Sequence, residues 1–422
     1  MKKGFVFWLF MVLCLPAFPG NIAVPCINHC YDPDVKTVRL YREGDPLAMP
    51  LIQLGSGERI VIEFDDLQAG IRRFRFTVIH CDAAWNPSAD LVTADYLEGF
   101  REEDITDYAY SYNTTIPYTH FTALFPTSSM APRISGNYLL VVYDDVIDRL
   151  AFTARFMVSE SSPATALASF VRSGAERLSR QQLDILLRLN GLRVVDVERE
   201  IKMVIMQNGR WDNLLRVGKP RFSRNDELDY RYDDAISFSG GNQYRNFDTR
   251  SLKYQTERVA RIDWDTAFQV WLLADQPRTY KQYVYEQDLN GRYLVAVEEY
   301  PDKGATEADY TWVHFYLPYP AVTKGGTFHV LGELTNWELG ENSRLYFNPA
   351  RRGYELSLLL KQGYYNYMYV FRPDGQQAGD EGVIEGSQWE TENDYTILVY
   401  FRETASLYDR LIAVTSINTL GK

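Results

Sequence analysis

Residues 79–100 read IHCDAAWNPSADLVTADYLEGF, and a regular pattern ends inside them. The run leading in, Phe74-Arg75-Phe76-Thr77-Val78-Ile79-His80, turns every second side chain to the same side, as a half-buried strand does. Asp82, Asn86, Pro87 and Ser88 then stop it, because Asn and Asp side chains bond nearby backbone and Pro presets its own φ. Trp85 falls inside this turn, where an indole plugs the end of a β-sandwich. His80-Cys81-Asp82 contains the residue types of a nucleophile, a base and an orienting acid. Successive strand residues face opposite sides, however, so the three are expected to pack rather than react.

Working outward, short alternating runs recur between turn signals. Val38 and Leu40, then Ile60, Ile62 and Phe64, then Tyr108, Tyr110 and Tyr112, then Tyr138, Leu140 and Val142, and finally Phe152–Val158 describe one sandwich over 31–159. The string SESSPA at 159–164 reads as a boundary. A second β unit is expected over 165–303. Gln181–Leu189 is read there as a strand, although its leucines also suit a helix. Asn208-Gly209 is a strong turn signal, since both residues tolerate positive φ. A third unit is expected over 306–417, with Thr396–Phe401 and Leu411–Val414 as its closing strands. The fold class is therefore all-β, built from tandem immunoglobulin-like β-sandwich domains.

The chain of 422 residues is 46% hydrophobic and 24% charged, a balance that folds rather than stays disordered. Its 30 Tyr and 22 Phe favour pleated surfaces. A formal charge of −12 argues against a nucleic-acid partner, which needs a clustered positive field. Lys2 and Lys3 precede the apolar run Phe5–Leu15, which is too short to span a membrane. Residues 1–23 are read as a cleavable export signal. Cys26, Cys30 and Cys81 remain beyond it. One pair is free to form a disulfide, and the spacing of Cys26 and Cys30 suggests a local bridge or an unpaired segment more than a metal site.

Catalytic patterns are missing from the sequence. Five histidines form no H-E-x-x-H, and no Ser lies in G-x-S-x-G. The acidic pairs Asp65-Asp66, Asp144-Asp145 and Asp233-Asp234 suit solvated loops as well as a glycosidase pair, so no enzyme activity, cofactor or metal is expected. Arg245, Asp248 and Arg250 form either a buried polar cluster or a patch facing a partner.

Three sets of strings carry a resemblance to a known family. CDAAWNPS (81–88), DYLEGF (95–100), SYNTTIPYTHF (111–121) and ISGNYLLVVY (134–143) resemble the first domain of the type IX secretion system plug proteins. QNGRWDN (207–213), FSGGNQYRNFDTRS (238–251) and DLNGRY (288–293) continue the likeness in order, so that it spans about residues 31–417. The resemblance implies a non-enzymatic periplasmic subunit, exported by its signal, that seals the periplasmic mouth of a large outer-membrane β-barrel translocon. Its partner-facing residues are expected among the loop aromatics Trp85, Trp211 and Trp337, with Arg245 and Arg250. The third unit also resembles early-set immunoglobulin-like and glycogen-binding modules, through the Gly332–Trp337 loop and the tyrosine strand Gly363–Phe371. That likeness implies an alternative, glycan binding by stacking on Trp337. Met368 weakens it, since it stands where such modules carry Lys.

Overall fold

In the strand Ile60–Asp66, Ile60, Ile62 and Phe64 enter one core while Glu63 and Asp65 face the other way. A computed structural model describes residues 24–421 except 148, 173–175, 177, 225 and 321. The export signal expected at 1–23 lies outside the described residues. Within them the chain is nearly all β, with three α-helices of four residues each.

Ile60–Asp66 lies between Val35–Arg42 and Thr119–Phe125, with Asp107–Tyr110 at the edge. Facing this sheet are Phe74–Cys81, Gly136–Asp144 and Arg149–Ser159, paired antiparallel. Between the two sheets Phe64 meets Phe74, Phe121 and Phe152 at ring separations of 5.0, 5.1 and 5.1 Å.

The second sheet is apolar on its other side as well. Ile79, Cys81, Leu139, Val141 and Met157 pack against Val204, Met206, Leu398, Tyr400 and Leu411. Those partners belong to a sheet of Leu215–Val217, Ile201–Gln207, Asp394–Phe401 and Arg410–Asn418. Its far face, including Met203, Ile205, Ile397 and Val399, covers Leu183, Ile185 and Leu187 of the strand Arg180–Arg188. Four sheets are thus stacked with three apolar layers between them, and the segment expected as a strand at Gln181–Leu189 lies in the strand Arg180–Arg188 but for its last residue.

This pairing corrects the expected closure of the third unit. Thr396–Phe401 and Leu411–Val414 lie in strands that complete the second sandwich, with Ile201 opposite Phe401 and Gln207 opposite Tyr395. The physical reason lies in Asp394–Phe401 itself, DYTILVYF, which is buried on both faces and fits only inside a stack. Conversely, Arg245–Asp248, Val259–Trp264 and Phe268–Leu272, placed by sequence in the middle unit, join the third sandwich. Arg245–Asp248 pairs there with Gly363–Pro373, and Phe268–Leu272 lies between Val259–Trp264 and Tyr310–Leu317. The core of that sandwich holds Phe247, Phe315, Phe328, Tyr365, Tyr367 and Tyr369.

The third sandwich docks on the outward face of the first sheet through polar groups. Asp65 accepts from Lys361 Nζ at 2.7 Å, Tyr310 Oη at 2.6 Å and His120 Nδ1 at 2.7 Å, and it is wholly buried. Burial opposes its charge, yet Lys361 and then His120 hold the Asp65 carboxyl below the usual range. Tyr118 Oη donates to the Ala308 carbonyl at 2.9 Å, and Thr37 shares a hydrogen bond with Tyr310 at 2.5 Å. Nearby, Arg72 bridges Asp32, Asp66 and Asp144 at 2.7, 3.1 and 2.9 Å. Asp65, Asp66 and Asp144 are therefore buried strand residues, which corrects their reading as solvated loop carboxylates.

Breaking a buried pair by removing one partner costs about 3–5 kcal/mol, because the other charge stays buried. Lys361→Met is expected to lower stability by about that amount in denaturant unfolding. Adding Asp65→Asn to it should return part of the loss. A double variant whose loss equals the sum of the single losses contradicts the coupling.

Candidate functional site at the junction of the sandwiches

The turn after Phe74–Cys81 folds on Asp82, whose Oδ1 accepts from the backbone N–H of Ala84 at 2.9 Å and Asn86 at 2.8 Å. Trp85 takes a left-handed conformation there, φ 65°. Its ring, 7% exposed, meets Trp211 edge-on at 5.1 Å, with the Arg155 guanidinium 4.8 Å from one indole and 5.1 Å from the other. The turn is also fastened to the second sandwich. Ala83 N–H donates to Asp409 Oδ2 at 2.8 Å, and Lys202 Nζ donates to the same carboxylate at 2.9 Å. Asn137 links the Asp82 carbonyl at 2.9 Å to Tyr400 Oη at 2.8 Å.

His80, Cys81 and Asp82 do not form a catalytic set. His80 shares a hydrogen bond with Ser88 Oγ at 2.8 Å and reaches the Ser135 carbonyl at 3.1 Å. A carbonyl only accepts, so Nε2 carries the proton and Nδ1 accepts from the serine. Burial pushes the His80 pKa down to about 4. Cys81 points away, into the apolar layer.

The strings QNGRWDN, GGNQYRNFD, DLNGRY and GELTNWEL, distant in sequence, meet at one junction. Arg210 is buried and donates to Asp212 at 2.7 Å and Glu381 at 2.8 Å. Its guanidinium lies 5.5 Å from the Trp337 ring. Trp337, 8% exposed, also meets Tyr244 at 6.1 Å and packs with Leu331, Met368 and Val370. A Cβ on Gly291 would stand 2.3 Å from the Trp337 ring, so only glycine fits there. Asn208 Nδ2 donates to Asn393 Oδ1 at 2.7 Å, and the Asp394 N–H donates to Asn208 Oδ1 at 2.8 Å. Arg292 donates to the Leu47 carbonyl, tying the first sandwich in.

Of the five residues expected to face a partner, three are buried and serve packing. Trp85 and Trp337 are both buried, with Arg155 and Trp211 against the first and Arg210 and Tyr244 against the second. Trp337 therefore offers no stacking platform for a sugar. Arg245 donates to Glu385 at 2.9 Å and Asp275 at 3.0 Å, which is the buried-cluster alternative. Burial opposes the charge of Glu385, but Arg245 and Arg278 hold its pKa at about 2. Trp211 is half-buried beside Trp85. Arg250 is partly exposed and pairs with Asp248 at 2.6 Å.

Sequence reasoning gave no partner role to Tyr108, Tyr110 and Tyr112. They are 41, 51 and 70% exposed, at and just beyond the edge strand Asp107–Tyr110. Their signal was the run DYAYSY, whose tyrosines alternate with Ala109 and Ser111, side chains too small to fill a core. Around the junction, a cavity of about 90 Å³ is lined by Asn28, Met49, Arg155, Trp211, Arg292 and Trp337 among others. Among the described residues, no group of three or more His, Cys, Asp or Glu is placed to hold a metal.

These features define a multi-sandwich β protein whose distinctive strings build its internal junctions. Residues 35–160 match the model of the type 9 secretion system plug protein 1st domain. The chain belongs to the type IX secretion system plug protein family. A hypothetical protein from Parabacteroides merdae, known from a crystal structure, is 33% identical; the match covers 94% of this chain and all of that one, at a TM-score of 0.90. The polymeric Ig receptor ectodomain of a teleost fish is 15% identical over 48% of this chain and 84% of its own, but its TM-score of 0.13 carries no argument about fold. A comparison with curated proteins finds no match.

Two stability measurements test this junction. His80 and His329 are buried, and both are pushed down to about 4, first by burial. The unfolded chain therefore takes up these protons first, near pH 6.5. Stability is fully present above that and is lost as pH falls from 6.5 towards 4. Glu385 extends the loss below pH 4.5, whereas Asp288, raised to about 6 by burial, opposes it. Denaturant unfolding at pH 7 and pH 5 is expected to differ by at least about 1 kcal/mol, and His329→Gln should reduce the difference; an unchanged slope in that variant contradicts the assignment. Trp85→Ala should cost about 3–5 kcal/mol at pH 7, and a loss below about 1 kcal/mol contradicts its role as a plug.

Proposed function

We propose that the chain is a non-enzymatic periplasmic subunit of the type IX secretion system that binds and seals the periplasmic opening of a large outer-membrane β-barrel translocon. Membership of the plug family carries this reading. A wide barrel leaves an aqueous channel that must be closed between substrates. A closing body must be stiff, and stacked sheets joined by buried layers resist bending better than modules on linkers. It also needs aromatic anchors ringed by polar groups. Tyr108, Tyr110 and Tyr112 offer such a strip at a sheet edge, with Asp107, Ser111 and Asn113 around them. The buried tryptophans act indirectly, by holding the junction in shape.

The test is affinity purification of the tagged chain from detergent-solubilised envelopes, with co-purifying proteins identified by mass. A very large outer-membrane barrel is expected in near-equal amount, and recovery of the protein alone overturns the proposal. Replacing Tyr108, Tyr110 and Tyr112 together by Ala is expected to reduce the co-purified barrel about tenfold or more, as loss of interface anchors does. Thermal stability should hardly change. Full retention of the barrel removes this strip from the contact.

A further inference from the structure

Three thiols are described, and their surroundings separate them. Cys81 Sγ lies 3.4 Å from Cys26 Sγ, and both side chains are buried in the apolar layer between the first and second sandwiches. Cys30 lies on the opposite side of the sheet, against the core of the first sandwich, where its Sγ donates to the Val35 and Asp32 carbonyls at 3.2 and 3.3 Å. A sheet therefore stands between Cys30 and the other two thiols, and the local Cys26–Cys30 bridge suggested by spacing is sterically excluded.

Backbone and side-chain contacts fix the register of the segment that carries Cys26. Arg155 Nε donates to the Cys26 carbonyl at 2.7 Å, and Thr153 Oγ1 donates to the Ile27 carbonyl at 2.8 Å. The Arg155 N–H donates to Asn28 Oδ1 at 2.8 Å, and His29 and Cys30 pair with Thr153 and Phe152. Cys26 is thus held at one point over the end of Phe74–Cys81.

We propose that Cys26 and Cys81 form a disulfide that staples residues 24–30 to the strand Phe74–Cys81, and that Cys30 remains a thiol. Contact between the two sulfurs in an otherwise settled core means that the bridge needs little rearrangement of the surrounding layer. The order of attack follows from the site. A hydrogen bond from Cys81 and the Arg155 guanidinium both favour the thiolate at Cys26, so Cys26 is the attacking sulfur. With glutathione disulfide as oxidant, the Cys26 thiolate attacks one glutathione sulfur, breaking its S–S bond and releasing one glutathione thiolate. The Cys81 thiolate then attacks Cys26 Sγ, forming the Cys26–Cys81 bond and releasing the second. Two protein thiols are oxidised, one disulfide is reduced, and the two protons end on the two glutathione thiols.

The test is refolding of the reduced full chain in a glutathione redox buffer, followed by alkylation of remaining thiols and peptide mapping by mass. The expected result is a peptide pair joined through Cys26 and Cys81, lighter by two hydrogens than its parts, with Cys30 alkylated. Alkylation of both Cys26 and Cys81, or any linkage through Cys30, overturns the proposal. Reduction of the oxidised chain should lower its Tm by roughly 5 °C or more. Cys30→Ala should keep that sensitivity to reductant, and Cys81→Ala should lose it. A Cys81→Ala variant that still responds to reductant also overturns the proposal. If that variant fails to fold, the mapping of the unsubstituted chain decides.

Discussion

A strand that is buried on both faces has to lie inside a stack, and Phe74–Cys81 is such a strand from Phe76 onward. Phe74, Phe76 and Val78 fill the core of the first sandwich, while Ile79 and Cys81 fill the layer beyond it. Exposing either face would leave several large side chains in water at about 25 cal/mol per Å² of apolar surface. The first two sandwiches consequently share a boundary lined by buried apolar side chains. The turn that follows the strand is shaped by the same need, since Trp85 closes the end of that layer and Asp82 shapes the backbone that carries it.

The third sandwich is attached on different terms. Its contact with the first sheet is a set of buried charges and hydroxyls, Asp65, Lys361, Tyr310 and His120, rather than an apolar layer. Apolar layers tolerate small slips, because the attraction is non-directional. A buried ion pair with fixed hydrogen bonds is costly outside one geometry, so it specifies orientation more than it adds affinity. The two kinds of seam therefore divide the work: apolar packing stacks the sheets, and the polar cluster sets the angle at which the third sandwich sits.

Period-two alternation made most of the fold legible. It placed the strands of the first sandwich, and it placed Gln181–Leu189 against its helical alternative. The turn after His80 and the opposed faces of His80 and Cys81 were equally legible. Alternation does not say what the second face meets. Glu63 and Asp65 are polar at outward positions, which reads as solvent, yet Asp65 is buried under another sandwich. Trp337 stands in a loop, which reads as exposure, yet Arg210 and Tyr244 cover it from 127 and 93 positions away in sequence. Contacts of that separation leave no periodic trace. The pairing of Ile201–Gln207 with Asp394–Phe401 escaped sequence reading for the same reason, although the unbroken hydrophobicity of DYTILVYF marked a strand with no solvent face.

That pairing has a temporal consequence. The second sandwich holds strands from both sides of the third, so its central sheet stays incomplete until Asp394–Phe401 and Arg410–Asn418 are delivered. The second sandwich therefore cannot close before the whole of the third has been made. Until then Ile201–Gln207 presents an unpaired edge and an uncovered apolar face, the features that invite mispairing with other chains. Contacts spanning this much sequence also make folding slow. A newly made chain therefore passes through a vulnerable interval that only Asp394–Phe401 and Arg410–Asn418 bring to an end.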